Sequence, residues 1–141
     1  MLRNVSYNDP KIKREIRKAV GESYSWAERL KCGGTGSPKL KVLMASREIA
    51  ERLEKDNYSN NCNIEICYQG IIIRFRSILE TYGLIIPFYK LSLFKSDADS
   101  YSIFSGKHKV VVAADNPKVH AFFKRLLDLK VKQSNTRIED L

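Results

Sequence analysis

The chain has 141 residues, 43% hydrophobic and 29% charged, with a formal charge of +9 at neutral pH. That length suits one domain, 1–141, with a core of its own, and no run nears the roughly 18 apolar residues of a membrane span. Met1 to Val20 carries charges where an export signal would be apolar, and Cys32, Cys62 and Cys67 are odd in number without a CxxC pair. A disulfide framework is argued against, and a reducing, cytoplasmic compartment is expected.

Asp9-Pro10 offers a capping carboxylate and a proline at the first helical position. Behind it Ile12, Ile16, Ala19, Val20, Ala27 and Leu30 recur at three- and four-residue intervals, which predicts an amphipathic helix over about 10–31. Gly21 weakens its centre, and the run Cys32-Gly33-Gly34-Thr35-Gly36 ends it. Ser37-Pro38 opens a second predicted helix to about Lys55, with Leu40, Leu43, Ala50 and Leu53 on one face. Asn57 to Asn61 is a polar turn cluster, closing a helical N-terminal part over 1–61.

Five strand-like runs follow: Asn63–Tyr68, Ile71–Leu79, Leu84–Lys95, Tyr101–Phe104 and Lys107–Ala113. Pro87 lacks the N–H a ladder needs, so the third run is an edge strand or breaks there, and an exposed edge near it could support self-association. Asn116-Pro117 opens a last helix over about 117–131, carrying Val119, Phe122, Phe123, Leu126 and Leu127. The expected fold is α+β: two N-terminal helices, then a five-stranded, mainly antiparallel bent sheet over 62–131 closed by a C-terminal amphipathic helix, with a flexible tail at 132–141.

The segment Leu79-Glu80-Thr81-Tyr82-Gly83-Leu84-Ile85-Ile86-Pro87-Phe88-Tyr89, the later Tyr101-Ser102-Ile103 and the helical Phe122-Phe123-Lys124-Arg125-Leu126-Leu127 resemble small uncharacterised bacterial proteins built on a short meander and a terminal helix. The order over 62–131 also resembles a bacterial pleckstrin-homology-like domain, in which a bent sheet is plugged by a C-terminal helix. The usual pattern of that family has seven strands and no helices in front. The resemblance implies no activity.

Catalytic residues are not found. His108 and His120 stand outside HxxxH and HExxH patterns, no serine lies in a GxSxG elbow, and paired carboxylates are missing. His108 shares a strand face with Val110 and Val112, which reads as a half-buried, satisfied histidine; His120 reads as solvated. Cys62 and Cys67 are five apart, so a regular strand sends them to opposite faces, and no metal or cofactor is expected. Gly33 to Lys39 lacks the Walker spacing and follows a helix rather than a strand. Asp97 and Asp99 begin like a calcium loop, but the twelfth position is His108, so they read as a turn.

Two basic features point to anion binding. Arg74 and Arg76 share one strand face and Lys90, with Phe88 and Phe94 of its own parity, could neighbour them, a mixture able to grip phosphates and stack bases or headgroups. On the first helix Lys11, Lys13, Arg14, Arg17 and Lys18 surround a single acid, Glu15. For each feature the simpler reading, a solvated basic surface, is the favoured one. The expectation is a non-catalytic binding or interaction module, with Arg74, Arg76, Lys90, Lys11, Arg14 and Lys18 as candidate anion contacts. Its partner would be a protein, an anionic lipid or nucleic acid. An RNA-binding domain is the alternative, because a helix over 38–55, three strands and a terminal helix follow the order of a double-stranded-RNA-binding domain; a small enzyme ranks below both.

Overall fold

A computed structural model describes residues 1–32, 34–55 and 60–139. Eight strands form one antiparallel sheet: β1 (Leu2–Asn4), β2 (Leu40–Ala45), β3 (Asn61–Cys67), β4 (Gly70–Ser77), β5 (Glu80–Pro87), β6 (Ser92–Asp97), β7 (Ser100–Ser105) and β8 (His108–Ala113). Their spatial order is β1-β5-β4-β3-β2-β8-β7-β6. Four α-helices accompany them: α1 (Pro10–Val20), α2 (Trp26–Cys32), α3 (Arg47–Glu54) and α4 (Pro117–Glu139). The expectation of two front helices and a five-stranded sheet is overturned, and the reasons are local.

The helix foreseen over 10–31 breaks at Gly21, whose φ of 75° follows the last turn of α1. Residues behind it run beside the sheet, with a bridge between Ser23 and Cys67, before α2 begins. The helix foreseen over 38–55 is a strand and then a shorter helix. Leu40 and Val42 alternate inward and pair with β3 and β8, so tertiary pairing overrides the three-residue spacing of Leu40 and Leu43. The helical half of that stretch survives as α3, directly ahead of β3, β4 and β5. The run 84–95 breaks at Pro87, where a single 3-10 turn over Phe88–Lys90 separates β5 from β6. Leu2–Asn4 adds β1 along Tyr82 to Leu84 of β5, short of Pro87. The turn cluster at 57–61 lies outside the described residues except for its last two members, and Gly33 and the end of the tail also lie outside them. α4 continues to Glu139 instead of stopping near 131.

That order obliges the sheet to curl. β5 and β6 stand six strand spacings apart, about 29 Å if the sheet were flat. Yet Pro87 and Ser92 are joined by five Cα steps, which reach about 19 Å at most. The two ends must bend toward each other, and β2 is the hinge: its first residues pair with β3, its last with β8, with a register shift between Val42 and Met44. One apolar cluster fills the concave side. It joins Ile64 and Ile66 of β3, Ile71, Ile73 and Phe75 of β4, Ile103 of β7, Val110 and Val112 of β8, and Ile49 and Leu53 of α3. From α4 come Val119, Phe122, Phe123 and Leu126, with Phe122, Phe123 and Leu126 wholly buried. Asn116 caps that helix by accepting a hydrogen bond from the Val119 N–H at 3.2 Å.

The convex side has a smaller cluster. Val20, Ile16 and Ala19 of α1 pack on Ile72, Ile85 and Cys67. Gly70 allows the close approach there: a Cβ at that position would meet the Ile86 carbonyl at 2.4 Å and Val20 at 2.6 Å.

Candidate functional site

Strand alternation decides which side chains reach the convex face. On β3 Cys62, Ile64 and Ile66 point inward, leaving Asn61, Asn63 and Glu65 outside; on β4 Ile73 and Phe75 point inward, leaving Arg74 and Arg76 outside. Register then sets their neighbours. Asn63 lies opposite Arg74 and Cys62 opposite Phe75, so the next pair outward is Asn61 with Arg76. Arg76 in turn faces Thr81 of β5. On the other flank Lys41 lies opposite Asn61. Lys39, two residues earlier on the same face, shares a shallow hollow of about 300 Å³ with Asn61, Asn63, Arg74, Arg76 and Thr81. The result is a grid: Lys39 just ahead of β2 and Lys41 on it, two asparagines on β3, two arginines on β4.

The electrostatics of this grid are one-sided. Among the described residues its nearby carboxylate is Glu65, which accepts hydrogen bonds from Arg74 and from the Ser23 hydroxyl at 2.8 Å, with Arg29 at 3.9 Å. Burial pushes against ionisation of Glu65, but those hydrogen bonds and the two guanidinium charges outweigh it and hold the carboxyl below the usual glutamate range. Among the described residues, Lys39, Lys41 and Arg76 have no ion-pair partner. Glu65 therefore fixes Arg74 in place and leaves the other three cations uncompensated. Asn61 and Asn63 add amide donors between them.

The expected stripe of Arg74, Arg76 and Lys90 is only half present. Lys90 sits on the 3-10 turn, beyond the Gly70–Pro87 pair. Arg74 and Arg76 are four and six residues along β4 from Gly70, about 13 and 20 Å at strand rise. The 3-10 turn also cancels the parity argument, since Phe88 enters the core while Lys90 is exposed. Lys11, Arg14 and Lys18 do share one solvent-facing stripe of α1, opposite Ile16 and Ala19. No residue of α1 lines the grid hollow. The stripe and the grid are two separate basic features.

Sequence reasoning missed Lys39, Lys41, Asn61 and Asn63. The signal was short: Leu40-Lys41-Val42 alternates with period two, and only pairing with β3 turns that alternation into a neighbour relation.

Other reactive groups are occupied. His108 is buried, and burial lowers its pKa below the ordinary histidine value. His120, expected in solvent, instead has Nδ1 3.0 Å from the Tyr101 hydroxyl, beside a second hollow of about 550 Å³ that also meets Lys95, Lys124 and Asp128. Cys62 and Cys67 face opposite sides of β3 as free thiols, pushed by burial up to about 12 and about 11. The Cys32 side chain lies outside the described residues. Among the described residues no cluster of three histidine, cysteine or acidic side chains could hold a metal. No helix there is long and apolar enough to cross a membrane. Comparisons with protein families, with curated proteins and with solved structures find no match to this chain.

Proposed function

We propose that this chain is a non-catalytic binding module whose convex sheet face holds an anionic partner. One observation carries the reading: Lys39, Lys41 and Arg76 stand around Asn61 and Asn63 with no ion-pair partner among the described residues, and Glu65 of the same face is engaged by Arg74 and Arg29. A surface of that composition attracts phosphate or carboxylate groups at long range and grips them with guanidinium forks and amides at short range. Absence of turnover is part of the proposal, supported by thiols that stay protonated at neutral pH and so make weak nucleophiles. Free cysteines on opposite faces of one strand support a reducing, cytoplasmic setting. The pleckstrin-homology-like resemblance is proposed on the same footing, since β2 to β8 number seven strands and a helix follows them.

Binding of a fluorescent single-stranded RNA, used as a generic polyanion, tests the grid. Affinity should fall steeply as salt rises, and the double change Lys41→Ala, Arg76→Ala should flatten the log–log slope by about 1.4 for two lost phosphate contacts on a single strand. Lys90→Ala should leave the slope alone. An unchanged slope in the double variant rejects the grid. A slope that instead collapses with Lys11→Ala, Arg14→Ala, Lys18→Ala moves the site to α1.

A further inference from the structure

The hairpin joining β4 to β5 breaks the rule that such turns normally follow. Ser77 pairs with Glu80, so the loop is the two residues Ile78 and Leu79. Two-residue hairpin loops require positive φ and are ordinarily filled by asparagine, aspartate or glycine. Here Ile78 takes a φ of 58°, the only positive value outside glycine among the described residues. A β-branched side chain in that region is strained, and such strain persists where it serves a function. Neither side chain repays the strain by packing: Ile78 is 56% exposed and Leu79 is 85% exposed. The sequence thus holds two large aliphatic groups out in water on a turn whose backbone resists one of them.

What surrounds the tip indicates what it meets. On one side a hollow of about 450 Å³ lies between the tip and the end of α3, lined by Arg52 and Lys55. Of its acids, Glu51 pairs with Arg47 at 3.0 Å, and Glu80 accepts hydrogen bonds from the neutral Asn4 amide at 2.9 Å and Tyr82 hydroxyl at 3.2 Å. The Arg52 guanidinium carbon stands over the Tyr82 ring, 4.8 Å from its centre, and Lys55 has no ion-pair partner among the described residues. On the other side Arg76 is two residues below the tip, in the grid row that runs through Asn61 to Lys41. Arg52, Lys55 and Arg76 therefore flank the aliphatic tip, with Lys41 two strands farther along the Arg76 row.

We propose that the Ile78-Leu79 tip inserts into an anionic lipid bilayer while Arg52, Lys55, Arg76 and Lys41 contact the headgroups around it. The inference rests on the anion-binding reading and names the partner. A convex tip of two aliphatic side chains offers no aromatic face on which bases could stack. It is also far smaller than the roughly 800 Å² each partner contributes to a stable protein interface. It does fit the boundary between headgroups and acyl chains, where apolar burial and attraction to anionic lipid add together. Two aliphatic side chains with four cations give reversible, salt-sensitive attachment rather than permanent anchoring.

The test uses the full chain and sucrose-loaded vesicles of three parts phosphatidylcholine to one part phosphatidylserine, with pure phosphatidylcholine as control. Wild-type protein should sediment with the anionic vesicles and not with the neutral ones. The double variant Ile78→Gly, Leu79→Ser should bind them about tenfold or more weakly. It should keep wild-type RNA affinity and an equal or higher melting temperature, because glycine accepts the positive φ. In a Trp26→Phe background, Leu79→Trp should show a blue shift and quenching by lipids brominated on their acyl chains. Unchanged sedimentation of the double variant, or no quenching at position 79, overturns the insertion. Failure of wild type to bind anionic vesicles while still binding RNA overturns the lipid and leaves the anion-binding module standing; failure to bind either removes both. A dimer in lipid-free ultracentrifugation that the double variant abolishes overturns the bilayer in favour of a second copy.

Discussion

On β3 and β4 each residue looks into one of two environments, and the two respond differently to change. Inward, Ile64, Ile66, Ile71, Ile73 and Phe75 meet α4 and the far strands. What matters there is volume and apolarity, which several residue types can supply. Outward, Asn61, Asn63, Glu65, Arg74 and Arg76 meet solvent and one another. Identity matters there, since exchanging Glu65 for another residue would free Arg74, and losing Arg76 would remove a cation that nothing replaces. The larger apolar cluster lies on the concave side and the proposed anion contacts lie on the convex one.

The largest expected effect breaks the concave side. Phe122→Ala removes a wholly buried ring stacked edge-on against Phe123 and should cost about 3–5 kcal/mol in chemical denaturation. Next comes a change that sharpens the contrast by pH. Glu65 is ionised more readily folded than unfolded, so its contribution to stability is present above the ordinary glutamate value of about 4.3 and is lost as the pH falls through its lower folded value. Wild-type melting temperature should therefore drop on that acid limb, and Glu65→Gln should flatten the drop. The smallest effect on stability should come from the grid itself: Lys41→Ala and Arg76→Ala together should stay within about 0.5 kcal/mol of wild type, as exposed cations without partners do.

Elements whose signal is local were legible in the sequence. Asp9-Pro10 opens α1, with Asp9 accepting from the Lys11 N–H at 2.9 Å; Asn116-Pro117 opens α4; and Phe122, Phe123 and Leu126 are its buried ridge. Pro87 marks a true break. Elements that exist only through pairing were not legible. Leu2–Asn4 is too short to carry a period, and β2 places its leucines at a helical interval while the bulge near Val42 breaks strict alternation. Missing β2 also hid the site, because Lys39 and Lys41 become neighbours of Arg74 and Arg76 only through β3. The pairing of Arg74 with Arg76 needed nothing beyond strand parity and was visible. The inclusion of Lys90 failed because parity does not carry across a 3-10 turn.

Backbone chemical-shift mapping on the isotope-labelled full chain, titrated with inorganic tripolyphosphate, tests the division of labour between the faces most directly. The amides of Lys39, Lys41, Asn61, Asn63, Arg74 and Arg76 should shift together in a saturable, salt-sensitive way, while Phe122, Phe123 and Leu126 stay still. Shifts centred on Lys11, Arg14 and Lys18, or no saturable shift on β2 to β4, would contradict the account.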